Sequence, residues 1–315
     1  MHVLLVGAGN MAIEYAKILN ALHVEFTVIG RGEKSAACFE QEIGKKVEIG
    51  GLEAVYDRLM IKPTHAIIST TLESLEENAL FIVKKVQYVL IEKPGAVNIQ
   101  GMKKIVNEAK SYRANVYIAY NRRFYRSVME AEKLIEHDGG LKSFLFEFTE
   151  WSHTIEKLNK TEFQLNHWFI GNSTHVIDTA FFFGGKPIEM SNFVSNPLTW
   201  HPKGSLYSGA GITEKGILFS YHANWKSPGS WKLELLTDKN RYIFRPFEKL
   251  HVQQLGSLTV DEVEIDDELD IKFKPGLYEQ VRAFLYNTHL SCRLLSAEEG
   301  LEMMGYYVEM NGERK

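Results

Sequence analysis

The sequence predicts two domains of different class: an α/β amino-terminal domain built on a parallel sheet, then an α+β domain with a large, open, mostly antiparallel sheet. Three observations predict it. Through residues 1–121, apolar runs alternate with helix-period segments, a pattern that lays strands in parallel with helices on both faces. From about Arg122 the period becomes residue-by-residue alternation, that of half-buried strands. At 315 residues the chain also exceeds the length at which one core usually keeps growing.

The elements follow in order. Val3–Val6 reads as a strand, Ala12–Leu22 as a helix, Val24–Ile29 as a second strand and Ser35–Ile43 as a helix. His65–Thr70 is a buried-type strand, followed by a helix over Leu75–Val86, a strand over Tyr88–Ile91, a helix over Ile99–Ala109 with Asn98 as its N-cap, and a strand over Val116–Ala119. A connecting helix, Ser127–His137, opens the second domain, which takes all of residues 122–315 and whose last helix is expected to pack back on the first. Ser143–Trp151 alternates as one strand. Further strands are expected at Glu189–Val194, Ser205–Ile212, Gly216–Trp225, Ser230–Thr237, Arg241–Arg245 and Leu250–Gln254. An open sheet of this size needs cover on each face, here an aromatic-rich helix on one and a partner subunit on the other, so a homodimer or homotetramer is expected.

The first strand empties into Gly7-Ala8-Gly9-Asn10-Met11-Ala12 and then a helix. In that context G-x-G-x-x-A is a dinucleotide-binding signature of the Rossmann kind: Gly7 permits the tight turn, Gly9 lets the backbone approach a pyrophosphate, and Ala12 lets helix and strand pack closely. The helix N-terminus then favours the phosphates. The second strand ends in Gly30-Arg31-Gly32, where an NAD site places a carboxylate. Arg31 suits a ribose 2′-phosphate, with Lys34 and Ser35 nearby, so NADP is expected; NAD is the alternative, with Glu33 reaching the ribose.

Ligands of such a sheet belong at the carboxyl ends of its strands. There the sequence places five polar clusters: Gly7–Ala12, Gly30-Arg31, Ser69-Thr70-Thr71, Glu92-Lys93-Pro94 and Tyr120-Asn121-Arg122-Arg123. The expected cofactor-binding set is Gly7, Gly9, Asn10, Met11, Ala12, Gly30, Arg31, Ser69, Thr70, Thr71, Glu92, Lys93 and Asn121. Pro94 restricts Lys93, Glu92 orients its ammonium or the loop around it, and partial burial would draw the lysine toward neutral pH, as suits a proton relay. The plain alternative is a Lys-Pro pair that only turns the chain.

Downstream, a helix from about Asn172 puts His175 and Asp178 three apart on one face. A histidine aligned by a carboxylate takes a hydroxyl proton; the alternative is a core histidine bonded to a carbonyl. His175 and Asp178 join Lys93 as candidate catalytic residues, and Lys93, Arg123, Asn172 and His175 are candidate substrate contacts.

Composition excludes several classes. Lys and Arg number 36 against 40 Asp and Glu, a net charge of −4, which indicates neither a nucleic-acid surface nor an acidic tail. Cys38 and Cys292 stand far apart, against a disulfide framework or structural zinc. A strand from residue 2 or 3 leaves no room for a signal segment, and no apolar run reaches membrane-spanning length, so a cytoplasmic protein without nucleic-acid or membrane partners is expected.

Together, Gly7-x-Gly9-x-x-Ala12, Glu92-Lys93-Pro94, Asn121-Arg122-Arg123-Phe124, His175-x-x-Asp178 and Leu295-Ser296-Ala297-Glu298-Glu299 resemble the glucose-fructose oxidoreductase, inositol dehydrogenase and rhizopine-catabolism (Gfo/Idh/MocA) family. The resemblance spans nearly the whole chain. It implies a nicotinamide-dependent sugar oxidoreductase in which Lys93 contacts the substrate hydroxyl and the nicotinamide side of the site, and His175 is the acid/base. One departure bears on substrate: sugar-alcohol dehydrogenases of the family commonly have an aspartate where this chain has Gly171. The resemblance therefore leaves a nucleotide-linked sugar as a substrate alongside a free one, with the aromatic Trp151–His167 segment lining a roomier pocket. A catalytically inactive nicotinamide sensor is the other reading, and a biliverdin-reductase-like enzyme, which would not need His175-x-x-Asp178, the third.

Overall fold

Four consecutive buried apolar residues, Val3–Val6, form β1, and Asn10–Ala21 form α1, whose buried residues Ala12, Ile13, Tyr15, Ala16, Ile18 and Leu19 recur at helical spacing. The computed structural model describes residues 1–313. It continues through β2 (Phe26–Gly30), α2 (Glu33–Ile43), β3 (Val47–Ile49), α3 (Leu52–Tyr56), β4 (His65–Ile68), α4 (Leu72–Ile82), β5 (Tyr88–Glu92), α5 (Ile99–Tyr112) and β6 (Asn115–Ala119). These strands run parallel in the order β6-β5-β4-β1-β2-β3. The carboxyl ends of β1, β4 and β5 therefore share one rim. Asn98 caps α5 as expected, its side chain accepting from the Gly101 amide at 2.9 Å. β3 was not foreseen: only Val47 of its three residues is buried, too short a pattern to read.

The chain divides into two compact units, and the second is formed by Arg122–Glu268 with the residues from Met303 onward. It contains α6 (Arg126–His137), β7 (Ser143–Phe148), α7 (Ser152–Ile155), α8 (Glu162–Asn166), α9 (Thr174–Gly184), β8 (Pro187–Ser195), β9 (Leu206–Thr213), β10 (Leu218–Asn224), β11 (Trp231–Leu236), β12 (Asn240–Phe244), β13 (His251–Gln254) and β14 (Asp261–Glu262). The sheet order is β14-β13-β12-β11-β7-β10-β9-β8, parallel between β7 and β10 and antiparallel at the other pairs.

α9 covers one face of this sheet. Phe181 meets Phe144 and Phe219 edge-on, with ring centroids 6.0 and 5.1 Å away, and a Cβ on Gly184 would lie 2.1 Å from the Phe144 ring, so glycine sets the closeness of helix and sheet. The opposite face carries Leu145, Ser191, Phe193, Ser208, Ala210 and Ser220 around a shallow cavity of about 510 Å³, with Phe193 72% and Leu218 61% exposed.

Two readings are corrected here. The strand expected to reach Trp151 ends at Phe148, because Glu150 turns inward to bond Asn172 and Ser173. The helix expected from Asn172 starts at Thr174, preceded by a π-helical turn over Phe169–Ser173.

The remaining elements are α10 (Glu268–Lys272), α11 (Leu277–Tyr286), β15 (Leu295–Ser296) and α12 (Ala297–Met310). Residues 269–302, read from sequence as part of the second domain, cluster with Met1–Asn121. The contacts explain why. β15 pairs antiparallel with β6 as the seventh strand of the first sheet, Phe284 of α11 packs edge-on against His65 and Tyr117, and the Asn121 amide donates to the Pro275 carbonyl at 2.9 Å. Among the described residues no helix is long and apolar enough to cross a membrane.

Candidate functional site

The turn after β1 is built around one glycine. Gly7 has φ +112° and a Cβ there would lie 2.7 Å from the Ser69 carbonyl oxygen, so no other residue fits. Its amide donates to the Ile29 carbonyl at 2.8 Å. Gly9 is the N-cap of α1, with no side chain capping the helix and no acidic residue in the first turn. A Cβ on Gly9 would meet nothing within 4 Å. The turn at Gly9 thus borders open space, beside the uncapped N-terminus of a helix, where a phosphate is favoured.

That space is a cavity of about 590 Å³ lined by Gly7, Ala8, Gly9, Gly30, Arg31, Ser35, Ser69, Thr70 and Thr71, among others. Gly30 is required by packing, since a Cβ would lie 2.9 Å from Val47 and 3.2 Å from Ala8. Arg31 is exposed at the cavity edge; Lys34 and Glu33 are not among the lining residues. Asn10, Met11, Ala12, Glu92, Lys93 and Asn121, expected with the cofactor set, are not among them either. Ala12 instead lies wholly buried in the α1 stripe. The sequence reading missed Gly50, Gly51, Ser74 and Asn78 in the lining; Asn78 donates to the Thr70 hydroxyl at 3.3 Å and the Ser74 carbonyl at 2.7 Å. The residues present fit a dinucleotide, because the glycines leave room for its phosphates and Arg31 and Ser35 supply donors where the second strand ends.

Glu92 and Lys93 follow at the end of β5. The buried hydroxyl of Tyr15, from α1, donates to Glu92 Oε1 at 2.7 Å. Glu92 keeps part of its surface exposed, yet its carboxyl is enclosed by protein atoms, which pushes its pKa up; Lys93, the Tyr15 bond and Lys274 oppose that rise. Burial, followed by the Glu92 charge, pushes the Tyr15 hydroxyl well above the usual phenol range. Tyr15 was missed because it reads as one more apolar position of the α1 stripe.

In the second unit, α9 carries His175 and Asp178, both buried. Asp178 receives Arg123 in a two-pronged pair, from Nε to Oδ2 at 2.8 Å and from Nη2 to Oδ1 at 2.7 Å, with the Tyr307 hydroxyl 3.5 Å from Oδ1. The guanidinium also lies 5.0 Å from the Phe182 ring centre. Arg123, a candidate substrate contact, and Asp178, a candidate catalytic residue, are thus partners of each other. The His175 ring lies 6.2 Å from that of Trp231, and the Arg122 guanidinium carbon stands 4.6 Å from the centre of the same indole. Asn172 donates to Glu150 at 3.0 and 3.1 Å. Among the described residues no cluster of His, Cys, Asp or Glu could hold a metal ion.

Comparison with known proteins bears on the first unit and on the fold. Residues 2–49 match the family model of the pyridine nucleotide-disulphide oxidoreductases. No curated protein matches the chain. Solved structures match throughout. UDP-N-acetylglucosamine 3-dehydrogenase GnnA from Acidithiobacillus ferrooxidans superposes with a TM-score of 0.76 at 13% identity, covering 99% of this chain and 97% of that one. Levoglucosan dehydrogenase in complex with NADH and L-sorbose gives 0.78 at 17%, covering 99% and 96%. An oxidoreductase from Agrobacterium radiobacter in complex with NAD+, L-tartaric acid and magnesium gives 0.76 at 13%, covering 98% and 94%. At these identities the likeness establishes a shared two-domain fold.

Proposed function

We propose that this chain is an NADP-dependent oxidoreductase that moves a hydride between the nicotinamide and a carbinol carbon of a sugar or nucleotide-linked sugar. The observation that carries the reading is the shared rim: the glycine cradle after β1, Ser69 after β4 and Lys93 after β5 stand at the carboxyl ends of adjacent parallel strands. The match of residues 2–49 to a pyridine-nucleotide family supports the cofactor class, and two of the similar structures are named as sugar or nucleotide-sugar dehydrogenases.

Gly7, Gly9 and the free amides of α1 would hold the pyrophosphate, with Arg31 and Ser35 taking a 2′-phosphate. When bound, the nicotinamide supplies the hydride acceptor or donor. Lys93 donates from its ammonium to the reacting hydroxyl and stabilises negative charge on that oxygen. His175 takes the hydroxyl proton in the oxidation direction. Glu92, held by Tyr15, keeps a carboxyl beside Lys93. Arg123 and Asp178 brace α9, so that Asp178 acts through the helix rather than on substrate. A second copy of the chain covers the open sheet face around Phe193 and Leu218.

The test is calorimetric titration with NADP and NAD, followed by nicotinamide absorbance with L-sorbose, levoglucosan and UDP-N-acetylglucosamine. Tighter NADP binding and turnover of one of these polyols is the expected result. Cofactor binding without turnover of any polyol would replace the enzyme with a sensor of the same fold.

A further inference from the structure

Glu150, two residues beyond β7, takes part in none of these roles, yet it is a carboxylate only 7% exposed. The side chains bonded to it all donate. The Asn172 amide nitrogen stands 3.0 and 3.1 Å from its two oxygens and the Ser173 hydroxyl 2.8 Å from Oε1. Burial pushes the Glu150 pKa up, and the Ser173 and Asn172 hydrogen bonds oppose the rise without cancelling it. A surround of donors matches an ionised carboxylate, which only accepts.

That anion decides which way Asn172 faces. A primary amide has a donor end and an acceptor end; with Nδ2 drawn onto both Glu150 oxygens, a flip would set Oδ1 against the carboxylate in a buried place. Asn172 keeps part of its surface exposed, so what it offers beyond Glu150 is an oxygen. It sits in the π-helical turn that leads directly into the helix bearing His175, and such turns recur at functional sites.

We propose that Glu150 is the positioning residue of the substrate site, orienting the Asn172 amide so that its oxygen accepts from a hydroxyl of a polyol ligand. The proposal rests on the sugar-oxidoreductase reading above. A neutral acceptor selects for a hydroxyl donor and against a carboxylate or phosphate oxygen at that point, where acceptor would face acceptor.

The experiment uses full-length protein loaded with NADP. In the ¹⁵N-labelled protein the Asn172 side-chain amide, assigned by its loss in Asn172→Ala, should lie away from the free-amide position and exchange slowly with solvent, and Glu150→Gln should move it. A free-amide shift with fast exchange, unmoved by Glu150→Gln, overturns the proposal. For a polyol that is turned over, Glu150→Gln should raise KM on the order of tenfold with NADP affinity unchanged, because the amide can then flip and present its nitrogen. Glu150→Gln with Asn172→Asp should restore KM, since the carboxylate introduced at position 172 accepts from the new amide and still presents an oxygen. An unchanged KM in the single variant, or a loss that the pair fails to restore, also overturns it. Should Glu150→Gln not fold, exchange in the wild-type protein and the paired variant decide. Should none of the polyols be turned over, the enzymatic reading fails while the amide measurement still judges Glu150.

Discussion

Arg123 and Asp178, 55 residues apart in sequence, form a buried two-pronged ion pair that ties the turn after β6 to α9. The Asp178 carboxylate has no exposed surface, so the guanidinium stands where water would otherwise solvate it. Arg123→Leu should therefore destabilise the protein by about 3–5 kcal/mol, as a buried charge left without its partner does. Arg123→Leu with Asp178→Leu should recover most of the loss, because no charge then remains to be solvated. Urea unfolding of the three proteins checks this, and a paired variant no more stable than Arg123→Leu would disprove it.

Gly7→Ala should abolish NADP binding. The positive φ and the approach to the Ser69 carbonyl together cost on the order of 1–3 kcal/mol of backbone strain, and relief would displace the turn that cradles the phosphates. Calorimetry reads the affinity, while circular dichroism confirms that the fold survives. Retained affinity in a folded variant would move the pyrophosphate elsewhere.

Lys93→Met should leave NADP affinity nearly intact and lower turnover by roughly 10²–10³-fold, the loss expected when one donor to a developing oxyanion is removed. Lys93 is not part of the cavity lining, which is why binding and turnover should separate. Near-normal turnover would take Lys93 out of the mechanism.

Asp138 gives the second unit an acid-sensitive lock. Burial alone would raise its pKa, but hydrogen bonds from Asn240, Tyr242 and Thr237, each 2.8 Å from Oδ2, outweigh burial and lower it. A carboxylate whose folded pKa is depressed contributes stability above its unfolded pKa and loses it as pH falls through the folded one. Thermal unfolding should thus show a stability loss below the ordinary carboxylate range that Asp138→Asn flattens. The Tyr242 hydroxyl, pushed up to about 12 chiefly by burial and then by Asp138, stays a donor throughout that range. An acid limb identical in wild type and variant would refute the assignment.

Phe193 and Leu218 are large apolar residues on the uncovered sheet face. If a second copy covers that face, Phe193→Lys with Leu218→Lys should convert an oligomer to a monomer by light scattering, with little change in NADP affinity. A wild-type monomer, or an oligomer indifferent to both changes, would remove the partner.

Much of this molecule is legible in local pattern. Four apolar residues running into Gly7-x-Gly9-x-x-Ala12, Asn98 before an amphipathic helix, and the inward set Phe144, Phe146 and Phe148 each declare their element, because periodicity and caps act over a few residues. Tertiary structure alone decided the partnerships: Tyr15 with Glu92 across 77 positions, Arg123 with Asp178, Glu150 with Asn172, and the return of residues 269–302 to the first sheet through β15. The physical reason is that a buried polar group must find a complement wherever the fold brings one, and no local spacing records where that is.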